Sequence, residues 1–183
     1  MASETFVSAL LLVTGVVAAA ILIVAVLPVI WGMVGTFSSS SAATDKNMRT
    51  DFKIVTTFAK YAPGAVPPPW AGVCATIWMK NIGTARIGTG DLNLADVYFG
   101  KSDNFGRATL NSPPGAAVGR TSATAIPWNY SIKETPVNNI WEPGETVEVN
   151  AFFPYPSTLS GQPMYFQFTL PGAVSRSTEF TAI

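Results

Sequence analysis

The chain has 183 residues, no histidine and one cysteine. Without imidazole there is no Ser-His-Asp or Cys-His catalysis, no imidazole general base and none of the usual zinc, copper or iron sites. A single cysteine excludes an internal disulfide. Cys74 sits in an apolar alternating run, where packing as a small hydrophobe is its expected role. Charge is scarce too. There are 11 basic and 11 acidic residues, a net charge of zero and no basic cluster, which argues against nucleic acid as a partner.

The scarcity is uneven. Glu4 is the only charge in the first 44 residues, and the other 21 fall in the remaining 139. Residues 1–44 therefore read as one region and 45–183 as a second, long enough to bury a core. Phe6 to Leu27 is 22 residues of Val, Ala, Leu and Ile, interrupted only by Ser8, Thr14 and Gly15. As a helix it spans about 33 Å, the thickness of a hydrocarbon core of about 30 Å. A bilayer forces such a segment to be helical, because its backbone has no other hydrogen-bond partner there. Pro28 is expected to bend or interrupt it. Apolar character resumes at Val29, and Trp31 sits where an interfacial aromatic belongs.

Three readings compete for this segment. A cleaved secretory signal needs a positive start and a shorter apolar run; here Met-Ala-Ser-Glu-Thr precedes Phe6. A plain single-span anchor is the second. The third is an anchor that doubles as a filament-core helix, carried by Phe6, Leu10, Val13, Gly15, Ala19, Leu22, Val26, Pro28 and Trp31. Gly15, Ala19, Gly32 and Gly35 are small enough for close helix packing, although glycine is also ordinary membrane composition. Lys46, Arg49, Lys53 and Lys60 follow the run, and positive-inside logic would hold them in the cytoplasm, but long domains cross largely regardless of charge.

Beyond residue 44 the pattern changes. Ser38 to Ser41 reads as a polar break, after which Thr44 to Lys46 would restart a helix with Thr44 or Asp45 as its cap. From Asp51 the pattern is strand-like, with Phe52, Ile54, Thr56 and Phe58 on one face alternating with Lys53, Val55, Thr57 and Ala59 on the other. Val73, Ala75, Ile77 and Met79 mark the next strand, ended by Asn81-Ile82-Gly83. Strands are also expected over Leu92 to Gly100, Asn129 to Lys133, Thr146 to Phe153, Met164 to Leu170 and Thr178 to Thr181. Glu142-Pro143-Gly144-Glu145 has the type II turn signature. Pro and Gly supply 25 of the last 139 residues, and short alternating strands between such turns predict an antiparallel, immunoglobulin-like β-sandwich. The fold class is thus α+β: a long hydrophobic N-terminal helix, then a sandwich.

Candidate chemistry is thin. Asp91, Asp96 and Asp103 surround one expected strand without the ligand spacing of a calcium loop, so capping and solvated roles are expected. Glu142, Glu145 and Glu148 flank a turn. Gly88, Gly90 and Gly100 form no phosphate-binding pattern. No enzyme activity, metal or cofactor is expected. Asn129-Tyr130-Ser131 is the one N-glycosylation triplet, and a glycan on Asn129 would put the second region outside the cell. Trp70, Trp128 and Trp141 lie in or beside loops; they are candidates for partner contacts, against the reading that they cover the ends of the core.

Taken together, the uncharged helix from Phe6, the Gly35-Thr36-Phe37-Ser38-Ser39 exit, Arg49 to Ile54, Ile77-Trp78-Met79-Lys80-Asn81-Ile82-Gly83, Glu142 to Thr146, and Leu170-Pro171-Gly172 with Phe180 resemble the archaeal flagellin superfamily. Its members include the filament archaellins and the accessory flagellar proteins F and G, and the resemblance is greatest to accessory protein G. It implies a pilin-like N-terminal helix and a non-enzymatic structural component of the archaeal motility machinery, the archaellum. That component would be a stator-like subunit coupling motor to envelope, or alternatively a bulk filament subunit. A membrane-anchored exported binding domain is the third alternative. The resemblance further implies self-association through the helix, contacts with other archaellum subunits and a surface-layer protein, and a β-domain outside the membrane.

Overall fold

The structure, a computed structural model, describes residues 2–63, 71–111, 118, 124–134, 138–155, 159–172 and 174–183. The chain divides into two compact units, Met1–Asp45 and Lys46–Ile183.

Helix α1 (Ala2–Arg49) is 48 residues long, about 72 Å at the usual rise. It passes through Pro28 without a break. Proline forfeits its own N–H bond and crowds the carbonyl one turn before it, a cost that membrane-type helices tolerate. Nor do Ser38 to Ser41 interrupt it. The hydroxyls fold back onto the helix's own carbonyls: Thr36 Oγ1 donates to Gly32 (2.8 Å), Ser39 Oγ to Thr36 (3.0 Å) and Thr44 Oγ1 to Ser40 (2.9 Å). Thr14 does the same to Leu10. Each hydroxyl satisfied in this way removes the competition with the backbone that the sequence reading took for a stop. Thr44 and Asp45 are consequently helix interior, not caps.

The second unit contains β1 (Phe52–Ala62), β2 (Gly72–Asn81), β3 (Ile87–Gly88), α2 (Thr89–Asn93), β4 (Asp96–Lys101), β5 (Asn104–Leu110), β6 (Pro127–Lys133), β7 (Ile140–Trp141), β8 (Thr146–Pro154), β9 (Pro163–Thr169) and β10 (Ser175–Thr181). Two four-stranded sets, β1-β2-β8-β6 and β5-β4-β9-β10, are antiparallel throughout. They meet at one parallel junction, Thr109 opposite Pro127 and Leu110 opposite Trp128. At the other side Ile183 laces the sandwich: Tyr61 N–H donates to its carbonyl (3.1 Å) and its N–H donates to Ala59 (3.0 Å).

Between the sets lies an aromatic core. Phe52 meets Phe168 edge-on at 5.6 Å, Trp128 meets Phe168 at 5.9 Å and Phe99 meets Phe153 at 6.3 Å. Val73, Ile77, Met79, Val97, Val147, Val149 and Phe166 are fully buried among them. Each such side chain contributes about 1.5–3 kcal/mol by leaving water. The inward positions of β2 are the Val73, Ala75, Ile77 and Met79 named from the sequence, and β8 and β9 alternate in the same way through Val147, Val149 and Ala151 and through Met164, Phe166 and Phe168.

Three expectations are corrected. In β1 a bulge at Val55 breaks the register between Ile54–Met79 and Thr56–Trp78. One extra residue flips the face, so Phe58 is exposed and Ala59 buried. Leu92 to Leu94 are not strand; Thr89–Asn93 forms α2, and the strand starts at Asp96. β5 was not expected, since Asn104-Phe105-Gly106-Arg107 lacks apolar alternation; it is held by pairing with β4.

Candidate functional site

The helix residues named from the sequence all lie on α1, and its apolar side chains face outward in every direction: Phe6 is 69% exposed, Leu22 64% and Trp31 69%. α1 is the one helix among the described residues long and apolar enough to cross a membrane, with a mean hydropathy of 3.1 in its densest window, none of it buried. Such a surface is stable only when lipid or other helices cover it.

The last turn of α1, Lys46–Arg49, belongs to the second unit, and there it sits in a built socket. The Arg49 carbonyl accepts the N–H groups of Thr84 (2.9 Å) and Ala85 (3.1 Å), and the Asp51 carbonyl accepts those of Ile82 (3.0 Å) and Gly83 (2.9 Å). The orphan carbonyl of Arg49 is thus satisfied by the loop after β2, while those of Lys46 and Asn47 accept the Thr50 N–H (3.0 and 3.3 Å). Lys46 pairs with Asp91 of α2 at 2.9 Å, and Arg176 of β10 pairs with Asp51. Two glycines make room. A methyl on Gly83 would overlap the Arg49 carbonyl oxygen and come within 2.5 Å of the Asp51 nitrogen, and one on Gly172 would overlap the Asn47 side-chain oxygen.

Asn81 holds that loop. It is fully buried. Its Nδ2 donates to Ala85 (2.9 Å) and Trp141 (3.0 Å) carbonyls, and its Oδ1 accepts the Gly83 N–H (3.0 Å). Its backbone N–H donates to Glu145 (3.0 Å), and its carbonyl accepts the Gly144 N–H (2.8 Å). The Lys80-Asn81-Ile82-Gly83 run and the Glu142 to Glu145 turn, where Gly144 has φ +88°, therefore form one structure. Sequence reading marked both segments but not their joint purpose, which is to seat Arg49.

Other candidates move. Trp128 and Trp141 are 1% and 0% exposed, so neither offers a partner contact. Trp141 Nε1 donates to the Glu145 carbonyl at 2.9 Å, and its ring lies 5.8 Å from Phe52. Trp70 lies outside the described residues. Asn129 is 1% exposed, its Oδ1 accepting the Tyr130 N–H at 2.7 Å. An acceptor so buried cannot carry a glycan in the folded domain, and the compartment argument built on it falls.

Asp91, Asp96 and Asp103 do not converge; each serves its own cation, Lys46, Arg107 and Lys101. No cluster of metal-ligating side chains occurs among the described residues. The hydrogen bond to Lys101 holds the Asp103 carboxyl below, and the Lys101 ammonium above, its ordinary range. Burial raises the Tyr130 phenol. At Glu148 burial pushes upward, but bonds from the Asn150 amide and the Lys133 ammonium outweigh it, and the carboxyl lies below its ordinary 4.5. Cys74 is half-buried. A cleft of about 300 Å³, where β5 leaves β4 for β6, is lined by Leu94, Arg107, Leu110 and Trp128 without a nucleophile–base pair.

With this geometry in hand, the comparisons are specific about fold. Over 96% of this chain and 91% of the other, the structure superposes on the archaeal flagellum of Methanospirillum hungatei strain JF1 with a TM-score of 0.63 at 16% identity. The chain shares that fold, helix and sandwich together. The archaellum periplasmic stator protein FlaG of Sulfolobus acidocaldarius matches 68% of this chain and 100% of its own, at 19% identity and a TM-score of 0.43, too low to establish a common fold. An uncharacterised protein of Archaeoglobus fulgidus is 26% identical over 149 residues, 81% of this chain and 80% of that one. No family model matches.

Proposed function

We propose that the chain is a non-enzymatic structural subunit of archaellum-type motility machinery, with its sandwich outside the membrane. The observation that carries this is the exposed apolar surface of α1, which continues past Pro28 through Val29 (56%), Met33 (66%) and Phe37 (77%). One bilayer covers about 20 helical residues; the remainder needs protein, and copies of the same helix or those of other archaellum subunits supply it. The socket around Arg49 fits a subunit that bears load, because it ties the helix end to the sandwich loops by main-chain hydrogen bonds. The likeness to the Methanospirillum hungatei flagellum over both helix and sandwich supports this class of role.

Within that class the sequence resemblance favours a membrane-anchored accessory or stator subunit that meets the surface-layer protein. The length of exposed apolar helix beyond one bilayer favours a filament subunit. Shearing filaments from motile cells and measuring this chain in filament and membrane fractions decides between them. A major filament band removes the stator reading. A deletion that leaves both swimming and filament assembly intact removes the structural role altogether.

A further inference from the structure

The outward faces of the two strand sets differ in chemistry. On the β1–β2 side, Lys53 and Lys80 stand directly opposite each other across the ladder. Both are exposed, and neither makes an ion pair among the described residues. Further along the same row, Lys80 opposes Thr146 and Thr146 opposes Lys133, whose ammonium is already taken by Glu148 at 3.2 Å. Like charges directly opposite on a sheet destabilise it, so the free domain gains nothing from this pair. Beside it Val55 and Phe58 are 54% and 47% exposed.

The outward face of β5-β4-β9-β10 is the counterpart. Phe105 and Tyr165 both register with Gly100 and meet above it with ring centroids 4.6 Å apart. Tyr165 opposes Glu179, an exposed carboxylate with no ion pair among the described residues. Arg107, the cation on this face, is taken up by Asp96 (Nε to Oδ1 2.9 Å). Aromatic rings beside an unspent carboxylate form the surface that attracts an ammonium ion, through the ring quadrupole and a charge-assisted hydrogen bond.

We infer that the lysine pair Lys53–Lys80 of one copy docks on the Phe105–Tyr165–Glu179 face of a second copy of this chain. The inference rests on the proposed self-assembly and names its sandwich contact. The two surfaces are different patches, so the contact is heterologous, the class from which a helical filament is built when the rotation does not close into a ring. A four-stranded face measures roughly 19 by 23 Å, well under the area of a stable stand-alone interface of about 800 Å² per partner. The contact is therefore weak alone and acts only alongside packed α1 helices.

The test uses the full-length chain in detergent, with assembly on detergent removal followed by sedimentation and electron microscopy. K53E/K80E and E179K should each raise the critical concentration for assembly about tenfold. The triple variant K53E/K80E/E179K, with the charges exchanged, should restore it. Salt near 1 M should weaken the wild type in the same way, since screening then acts within about 3 Å. Unchanged thermal unfolding of each variant separates docking from folding. A wild type that assembles while all three variants assemble equally well overturns the contact and leaves the filament reading standing. A wild type that never assembles removes the filament reading and this contact with it.

Discussion

Arg49 and Gly83 are packed so closely that the Arg49 carbonyl oxygen occupies the place where a Gly83 side chain would begin. The sharpest test of the socket follows. Gly83→Ala sets a methyl against two main-chain atoms, the Asp51 nitrogen and the Arg49 carbonyl oxygen, the latter fixed by the N–H groups of Thr84 and Ala85. Loss of about 1–3 kcal/mol is expected, read as a lower thermal midpoint of the detergent-solubilised protein. Gly172→Ala meets only the end of the Asn47 side chain, which can turn away, so its loss should be well under half as large. Equal effects would show that the Arg49 carbonyl is not the fixed point proposed.

Asn81 is the next point of failure. Its buried amide makes three hydrogen bonds to three loop positions. Asn81→Leu keeps the branched shape but takes the side-chain donor from the Ala85 and Trp141 carbonyls, while the Gly83 N–H keeps its bond to the Asp51 carbonyl. With each stranded group costing about 1–3 kcal/mol, a total of several kcal/mol is expected in equilibrium denaturation. Asn81→Asp should be nearly as harmful, because it replaces two donated bonds by carboxylate–carbonyl repulsion. A loss below about 1 kcal/mol for either variant sinks the hub assignment.

The pH dependence has a defined sign. Glu148 is held below its ordinary 4.5 in the folded protein. The stability it contributes is present above that value and lost as pH falls through its folded pKa. Lys133→Met removes the ammonium at 3.2 Å. The folded pKa of Glu148 then moves up, so the variant has less stability to lose on acidification. The wild type should have the higher thermal midpoint at pH 7, and the two midpoints should converge towards pH 3, where Glu148 is protonated in both. Parallel curves would exclude the Lys133–Glu148 link.

Much of this was legible in the residues, where one physical signal acted alone. β2, β8 and β9 alternate cleanly because each is buried on one face, and they were read correctly to within a few residues. The helix was read from composition, but its continuity was not, since hydroxyl back-bonding at Thr36, Ser39 and Thr44 is invisible in a residue list. A bulge leaves no local mark, so the inversion at Val55 was missed. Turns around Trp128 and Trp141 leave partner contact open in sequence beside the reading that they cover the core, and Asn129 looks like a surface acceptor; β pairing to distant strands buries all three. Asn81 was placed in the right turn, yet its role depends on Trp141, 60 positions away.

The helix itself can be tested apart from the fold. Apart from the helix's own backbone, no atom of the described residues lies within 4 Å of a Cβ added at Gly15 or Gly32. Gly15→Leu and Gly32→Leu should therefore leave monomer stability unchanged or slightly raised, since glycine costs a helix about 1 kcal/mol relative to a good helix former. If α1 packs against other helices through these small residues, the same variants hold the backbones apart. Assembly after detergent removal should then fall while the far-ultraviolet circular dichroism and thermal midpoint hold. If α1 is only an anchor, the leucines lie in lipid and both variants assemble, or fail to assemble, as the wild type does. The two substitutions also bracket Pro28. Loss confined to Gly15→Leu would place the packed segment inside the bilayer-length run, and loss confined to Gly32→Leu would place it in the exposed stretch beyond.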